Sequence, residues 1–178
     1  FMGLLSVRAA GEAAPPIHDV ATDLRNPPAF SAQTLQMREE WGANPIVDYG
    51  MPLGQIDLWK DRVDGDLAVQ NHADVIAANY TDLRPIPVGN ATREQAMNAV
   101  VAAMGEIGLD DIRADNATGM VEGVAETFAY GFRDDVVARV TDSRIDLRSA
   151  SRVGVSDLGY NAERVRELSE AIRSRLGS

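Results

Sequence analysis

The clearest alternation of side-chain types along the chain runs from Met120 to Phe132. Small residues recur at every second position, and charged or large apolar residues fill most of the positions between them. Because successive side chains point to opposite faces of a strand, this pattern predicts a β-strand with a small-residue face and an aromatic face. We expect the N-terminal part of the chain to cover the aromatic face; the alternative is a face open to a ligand or partner. Its residues are Glu122, Val124, Glu126, Phe128, Tyr130 and Phe132.

A hairpin follows, with one strand from Asp134 to Val140 and the other from Arg144 to Arg152. A two-residue turn at Asp142-Ser143 would place Arg139 opposite Asp146. A slip of one residue would move charged side chains into the core, so the pattern predicts a firm register. The apolar face consists of Val136, Ala138, Val140, Ile145 and Leu147, and the charged face of Arg139, Arg144, Asp146 and Arg148.

Two helices frame these strands. The segment Thr92-Arg-Glu-Gln95 has the composition of a capping box, in which a hydroxyl and an amide side chain satisfy opposite backbone amides at a helix start. Gly108 is a suitable end for this helix. A second helix runs to the end of the chain, with Asn161 as its N-cap and with Tyr160 and Val165 as a hydrophobic staple.

From Leu83 onward the predicted order is strand, helix, four strands and helix. The segment from Leu83 to Val88 is interpreted as an edge strand, because its prolines cannot donate to a central ladder. The segment from Asp111 to Asp115 forms the first strand after the helix. This β-α-β-β-β-β-α order predicts an α+β fold, in which a curved antiparallel sheet carries its helices on one face.

The first part of the chain has a different character. From Pro15 to Asn79 it is rich in proline, glycine and aspartate, and short helices are indicated near Ser31–Trp41 and near Leu67–Asn79. A structureless loop of this length is unusual in a compact domain, so we expect an arm that packs on the rest of the chain. Residues 1–14 are interpreted as a linker remnant, and the rest as a single domain made of this arm and a core over 80–178.

Composition excludes several classes of function. The net charge of the 178 residues is −10, and even from Arg133 to the end there are only 9 basic residues against 8 acidic ones. Duplex nucleic acid is therefore not an expected partner, since phosphate binding needs clustered positive charge. The absence of cysteine excludes disulfides, thiolate metal sites and thiol nucleophiles. No apolar run reaches the roughly eighteen residues of a membrane span.

Three arginines flank the loop from Gly154 to Gly159, which leads into the last helix. Arg148, Arg152 and Arg164 could bind an anion together with the backbone amides of the helix start, which would give an acidic headgroup or phosphate site. The interpretation that we favour is structural: the glycines make the turn, Asn161 caps the helix and Asp157 pairs with an arginine. Asp157 would repel an anion.

The charged face of the hairpin has two interpretations as well. Arg139, Asp146 and Arg148 could form a buried polar network that lines a pocket. Such a row is more often a solvated sheet face, whose cross-strand pairs each contribute about 0.2–1 kcal/mol. Glu126 lies among aromatic residues, where it is a candidate acid–base group or the partner of an arginine.

Metal and nucleophile signatures are absent from the sequence. His18 with its neighbouring aspartates, and His72 with Asp74, fall short of a zinc pattern. The aspartates between Asp57 and Asp66 miss the spacing of a calcium loop. No serine lies in a nucleophile elbow. We therefore assign no catalytic residue, no cofactor and no metal.

Several segments resemble the bacterial and plastid family called domain of unknown function 1499. They are His18-Asp-Val-Ala-Thr-Asp23, Pro27-Pro-Ala-Phe30, Tyr80-x-Asp82-x-x-Pro85, Gly131-Phe-Arg-Asp-Asp-Val-Val137 and the long motif from Arg144 to Arg164. The resemblance extends from about Pro15 to the C-terminus and supplies no catalytic residues. Because bacterial members often carry hydrophobic segments before this domain, it implies a removed N-terminal anchor in the inner membrane and a periplasmic location.

The predicted element order also resembles the TATA-binding-protein-like arrangement and the related helix-grip lipid carriers. That resemblance implies a ligand groove between the sheet and the C-terminal helix, although a fold alone does not assign a function.

Three hypotheses follow. The leading one is a non-catalytic binding domain of the cell envelope, which binds a lipid or other amphiphile, or an envelope protein, through the aromatic sheet face and the arginine-bearing loop. The second is a purely structural protein–protein interaction module, whose aromatic face is permanently covered. The third is a hydrolase in which Glu126 or an aspartate acts with His18.

Overall fold

The computed structural model describes residues 13–127 and 131–177. These residues fold around an antiparallel sheet. In this part of the chain the sheet has six strands, and its order is β1-β6-β5-β4-β3, with β2 also paired to β6. The strands are β1 (Asp19–Ala21), β2 (Ile86–Pro87), β3 (Asp110–Asp115), β4 (Met120–Glu126), β5 (Arg133–Val140) and β6 (Arg144–Ser151).

Five α-helices accompany the sheet in the same described ranges, so the predicted α+β class is confirmed. Ser31 caps the first helix by accepting from the Thr34 amide, and Thr92 with Gln95 forms the predicted capping box of the fourth. The helices are α1 (Ala32–Glu40), α2 (Gly65–Val69), α3 (His72–Asn79), α4 (Arg93–Glu106) and α5 (Tyr160–Leu176), and a 3-10 turn spans Leu53–Gln55.

The main hydrophobic core lies between one face of the sheet and the helices α4 and α5, and it continues into the chain between residues 47 and 80. The register of β5 with β6 is the predicted one, with Val140 opposite Ile145 and Arg139 opposite Asp146. The five apolar residues of the predicted inner face are therefore buried together, against the stripe of α5 that includes Leu168. Apolar side chains fill most of this interface.

The opposite face of the sheet is covered by part of the N-terminal segment, which we define as residues 13–80. Helix α1 lies on this face, where Arg38 contacts Asp135 and Thr34 contacts Arg113. The expectation of helices on one face concerned the two helices that follow Leu83, which are α4 and α5; α1 belongs to the N-terminal segment and lies on the other face. Phe30 packs here on Val137 of β5 in a second, smaller apolar cluster.

Strand β4 is shorter than the alternation predicted. It ends at Glu126, and the chain then turns, because the amide of Gly131 donates to Thr127 and the amide of Thr127 donates to Phe132. Phe132 therefore lies in a tight connection to β5, and not on a sheet face. The predicted face residues Phe128 and Tyr130 lie outside the described residues.

Helix α5 also begins differently from the prediction. Its N-cap is Gly159, with φ +88°, and Asn161 lies inside the first turn with its side chain fully buried. Tyr160 is largely exposed while Val165 is buried, so the two do not form the expected staple. The helix predicted near Leu67–Asn79 is divided into α2 and α3.

The turn between β3 and β4 is closed by a glycine. Gly119 has φ +75°, and its carbonyl accepts from the Val140 amide at 2.7 Å. A Cβ atom at this position would lie 2.3 Å from the Val140 carbonyl oxygen and 2.9 Å from the Arg93 guanidinium. Only glycine fits the turn without displacing the end of β5.

Candidate functional site

The charged face of the hairpin is largely covered by the N-terminal segment, with Asp146 and Arg148 buried and Arg144 exposed. We call the resulting set of ion pairs the ionic layer. The interpretation of this row as a solvated face is wrong for Asp146 and Arg148, both of which are buried. Its members are Asp19, Asp23, Arg38, Asp135, Arg139, Arg144, Asp146, Arg148 and Arg152.

Asp135 of β5 is the centre of the most deeply buried part of the ionic layer. Arg152 donates to both carboxylate oxygens, from Nε at 2.9 Å and from Nη2 at 2.7 Å, and Arg38 donates from Nη1 at 2.8 Å. The side chains of all three are at most 4% exposed. Arg38 also donates to the carbonyls of Asn44 and Ser151. One carboxylate thus compensates two guanidiniums, with backbone carbonyls as additional acceptors.

Asp19 of β1 and Arg148 of β6 form a second, bidentate pair. Arg148 donates from Nε and Nη2 at 3.0 and 2.8 Å, and the Tyr49 hydroxyl donates to the same carboxylate at 2.5 Å. Burial alone would raise the pKa of Asp19, but the Arg148 guanidinium holds this pKa below its usual value. Burial and the neighbouring Asp19 carboxylate raise the pKa of Tyr49 well above its usual range.

The third part of the ionic layer lies nearer the turn of the hairpin. Asp23 accepts from Arg139 at 3.0 Å and from Arg144 at 2.8 Å, and both arginines also contact Asp146. The Thr22 hydroxyl donates to Asp146 at 2.8 Å. These contacts attach the chain directly after β1 to the hairpin.

A fourth contact joins the start of α1 to β4. Glu122 accepts from the backbone amide of Ser31 at 3.0 Å and from the Ser31 hydroxyl, and Arg113 of β3 lies 3.7 Å from the carboxylate. The predicted aromatic face therefore carries a buried carboxylate beneath the first turn of α1.

The three arginines expected around the last loop do not converge. Arg148 and Arg152 lie in the ionic layer, whereas Arg164 of α5 is on the helix side and donates to Asp134 at 2.7 Å. Asp157 accepts from the amides of Gly159 and Asn161, where an anion bound to the helix start would lie. Burial raises the pKa of Asp157. Carboxylates of the chain itself thus already bind the arginine side chains and backbone amides that were proposed to bind an anion.

Asn161 belongs to a buried network rather than to a cap. Its amide nitrogen donates to the His18 carbonyl and to the Ser151 hydroxyl, and its amide oxygen accepts from the Ser149 hydroxyl at 2.6 Å. It therefore fixes the start of α5 against β1 and β6.

Glu126 and His18, the two residues of the hydrolase hypothesis, are in different environments. Glu126 ends β4 at the surface, opposite Arg133. His18 is buried and stacks on Trp59, with 5.2 Å between the ring centroids. Among the hydrogen bonds of the described residues, none joins the two side chains, and the same ranges contain no group of three or more residues that could hold a metal ion.

Sequence reasoning missed a buried group of four rings, which we call the histidine cluster: His18, Tyr49, Trp59 and His72. The ring centroids of Tyr49 and His72 are 4.7 Å apart, and those of Trp59 and His72 are 5.8 Å apart. The indole of Trp59 donates to the Pro16 carbonyl at 2.5 Å. The signal available in the sequence was two histidines in a proline-rich segment, which did not indicate that they meet.

Four large apolar side chains are exposed at one end of the sheet, which we call the apolar end. They are Leu158 (75% exposed), Tyr160 (58%), Phe132 (48%) and Trp41 (44%). At this end β5 begins, β6 ends and α5 begins. The Trp41 ring lies 5.5 Å from the Arg152 guanidinium and 5.8 Å from that of Arg133.

The start of the described chain lies at the apolar end as well. The amide of Asp157 donates to the Ile17 carbonyl at 3.0 Å. A Cβ atom on Gly159 would lie 3.9 Å from the Cβ of Ala14. The chain therefore enters the fold next to Leu158 and Tyr160.

A shallow groove of about 400 Å³ lies along α5. Two of its guanidiniums are already engaged: Arg166 binds Asp82, and Arg173 donates to the Pro85 carbonyl. Among the helices of the described residues, none combines the length and apolarity needed to cross a membrane.

No curated protein and no solved structure matches the chain significantly. The sequence model of one family, described as Protein of unknown function (DUF1499), matches residues 19–172. The matched range begins with β1 and ends inside α5, so it includes both the ionic layer and the hairpin. The chain belongs to this family, as the motifs around His18 and from Arg144 to Arg164 indicated.

Proposed function

We propose that the chain is a non-catalytic binding domain of the bacterial cell envelope, which contacts a lipid surface through the apolar end. The observation that carries the proposal is the exposure of Trp41, Phe132, Leu158 and Tyr160 at the end where the chain enters the fold. Solvent-exposed groups of large apolar side chains mark interaction sites more often than isolated ones do.

The sheet faces offer no comparable surface. One face is filled by the core beneath α4 and α5, and the other carries the ionic layer, whose charges are paired with one another. A relation to the helix-grip carriers remains a proposal, and the amphiphile would lie at the end of the sheet rather than in a groove beside α5.

The composition of the apolar end suits the interface between lipid headgroups and acyl chains. Tryptophan and tyrosine combine an apolar ring with a polar tip, which is the reason that they are enriched at that depth of a bilayer. Arg133 lies against the Trp41 ring and could meet a phosphate while the ring meets the acyl chains. On this proposal, the apolar end lies against the periplasmic surface of the inner membrane.

Tryptophan fluorescence tests the proposal directly. The chain has two tryptophans, and Trp59 is fully buried, so any spectral change on binding reports on Trp41. On addition of phosphatidylcholine vesicles we expect a blue shift, and quenching when the lipids are brominated near the headgroup. Phe132→Ser with Leu158→Ser should weaken vesicle binding at least about tenfold, since each lost side chain removes on the order of 1 kcal/mol.

Val69→Ser is the matched control for these variants. Val69 is 73% exposed on α2, which is not one of the elements that form the apolar end, and its replacement should leave vesicle binding unchanged. A spectrum that does not respond to vesicles would contradict the lipid proposal, as would equal losses in the Val69 variant and the double variant.

A purely structural interaction module is the second candidate. It is favoured by the coverage of the predicted aromatic face, where Ser31 and Arg38 of the N-terminal segment meet buried carboxylates. In that case the apolar end binds an envelope protein and not a lipid surface, and the vesicle experiment separates the two.

A further inference from the structure

The histidine cluster contains imidazole nitrogens that no protein group satisfies. Both ring nitrogens of His72 and the Nδ1 of His18 are buried and without a hydrogen-bond partner. The His72 ring is fully buried. Buried polar atoms are almost always hydrogen-bonded, so three such nitrogens in one place need a reason.

The groups that face His72 come from four parts of the chain. Asp19 of β1 and Arg148 of β6 are its charged neighbours, His18 is its titratable neighbour, and Tyr49 and Trp59 contact the ring. Asp19 is already engaged by the Arg148 guanidinium and the Tyr49 hydroxyl. A proton on His72 would therefore add a cation beside Arg148, with no free carboxylate to receive it.

The residues that carry these rings also connect the chain around α3 to the start of β1. The amide of His72 donates to the Met51 carbonyl, and the amide of Ala73 donates to the Tyr49 carbonyl at 3.0 Å. Trp59 is tied to Pro16 directly before β1. The His72 ring itself contacts Tyr49 and Trp59, which bind Asp19 and Pro16 in turn. The neutral ring thus connects α3 to the start of β1 through these two side chains.

We propose that His72 is an acid-sensitive latch: its neutral ring holds residues 47–80 on the body of the domain, and its protonation releases them. The released part includes α2 and α3, whereas the pairing of β4, β5 and β6 does not depend on the ring and remains. The latch is independent of whether the apolar end binds lipid.

The direction of the pH effect follows from the environment of the ring. Burial lowers the pKa of His72 from 6.5 to about 4; the Asp19 carboxylate opposes this shift, while the His18 ring and Arg148 add to it. We call the domain closed when residues 47–80 are packed on it and open when they are released. Because the pKa of His72 is lowered in the closed form, the neutral ring stabilises that form fully above pH 6.5. This contribution is lost as the pH falls toward 4. Between pH 7.5 and pH 5 the ratio of open to closed forms should rise roughly 30-fold.

Hydrogen exchange measured by mass spectrometry tests the latch. Protection factors, corrected for the pH dependence of intrinsic exchange, are compared at pH 7.5 and pH 5 in the native chain and in His72→Phe. In the native chain we expect peptides from residues 47–80 to lose roughly 30-fold in protection, while those from β5 and β6 keep theirs. In His72→Phe the loss should be less than about threefold, because phenylalanine preserves the ring packing and cannot titrate.

His18→Phe is the matched control, since His18 is a buried histidine of the same cluster whose pKa is lowered by burial. It should retain most of the pH effect. An unchanged pH effect in His72→Phe, or a loss of protection spread evenly over the sheet, would overturn the proposal.

A second measurement needs no variant. The sequence has only two histidines, so the imidazole proton resonances of the native chain can be followed by NMR without ambiguity from others. One of the two should titrate with a midpoint near 4. If both titrate at or above pH 6.5, the closed form tolerates the charge and the latch is excluded.

Discussion

Replacement of Asp135 with asparagine is expected to lower the free energy of unfolding by about 3–5 kcal/mol, which is the usual cost of removing one partner from a buried ion pair. Arg38 and Arg152 both donate to this carboxylate, and both would stay buried without a compensating charge. Since small domains are stable by only about 5–15 kcal/mol, this loss is a large fraction of the total free energy of unfolding. Urea denaturation followed by circular dichroism measures the change.

Glu106→Gln is the control for Asp135→Asn. Glu106 pairs with Arg175 at 3.0 Å on the surface, where the two side chains are 56% and 41% exposed. Exposed pairs contribute about 0–1 kcal/mol, so this variant should unfold at almost the native urea concentration. If the two variants lose similar amounts of stability, the ionic layer does not fix the N-terminal segment to the sheet.

Replacement of Gly119 with alanine is the second change for which a large effect is expected. The positive φ costs an alanine about 1–2 kcal/mol, and the added methyl group would collide with the Val140 carbonyl oxygen at 2.3 Å. Overpacking of this kind costs about 1–3 kcal/mol more. We therefore expect a total loss of about 2–5 kcal/mol, measured by thermal and urea unfolding.

Gly108→Ala separates the two contributions to that loss. Gly108 has φ +84°, but no atom lies within 4 Å of a Cβ placed there. Its replacement should cost only the conformational part, about 1–2 kcal/mol. An equal loss in the two variants would show that the contact with Val140 relaxes without cost.

Local signals in the sequence predicted the parts of the fold that depend on neighbours along the chain. The register of β5 with β6 follows from a two-residue turn and from apolar residues at every second position, including Val136 and Leu147. The capping box at Thr92 needs only residues three apart. Each is determined within one or two elements, and each was correct.

Whether the charged face of the hairpin is buried or solvated could not be predicted in the same way. The alternation around Arg148 places charges on one face, but the same pattern fits a solvated row and a buried one. The row is buried because Asp19 and Arg38 bind to this face of the sheet. Asp19 lies 129 positions from its partner Arg148, and Arg38 lies 97 positions from its partner Asp135. A periodic pattern along the chain does not reveal contacts between residues that are so far apart in the sequence.

Other errors have local physical causes. The alternation continued beyond Glu126, yet Gly131 with φ +63° allowed the chain to turn before β5. Asn161 has the composition of a cap, but the amide side chain gains more partners inside the buried network with Ser149 and Ser151. The sequence did not predict that His18 and His72 belong to one cluster. Their rings both contact Trp59, and the segments that carry these residues show no regular pattern.

The pairing of β1 with β6 has a consequence for the order in which the protein is made. Asp19, Asp23 and Arg38 leave the ribosome more than ninety positions ahead of their partners in β5 and β6. Until β5 and β6 have been synthesised, these side chains lack their ion-pair partners, and the N-terminal segment lacks the sheet face on which it packs. Contacts of such separation form slowly, because a long loop must close before any of them is made. The first strand of this domain is therefore among the last to be fixed.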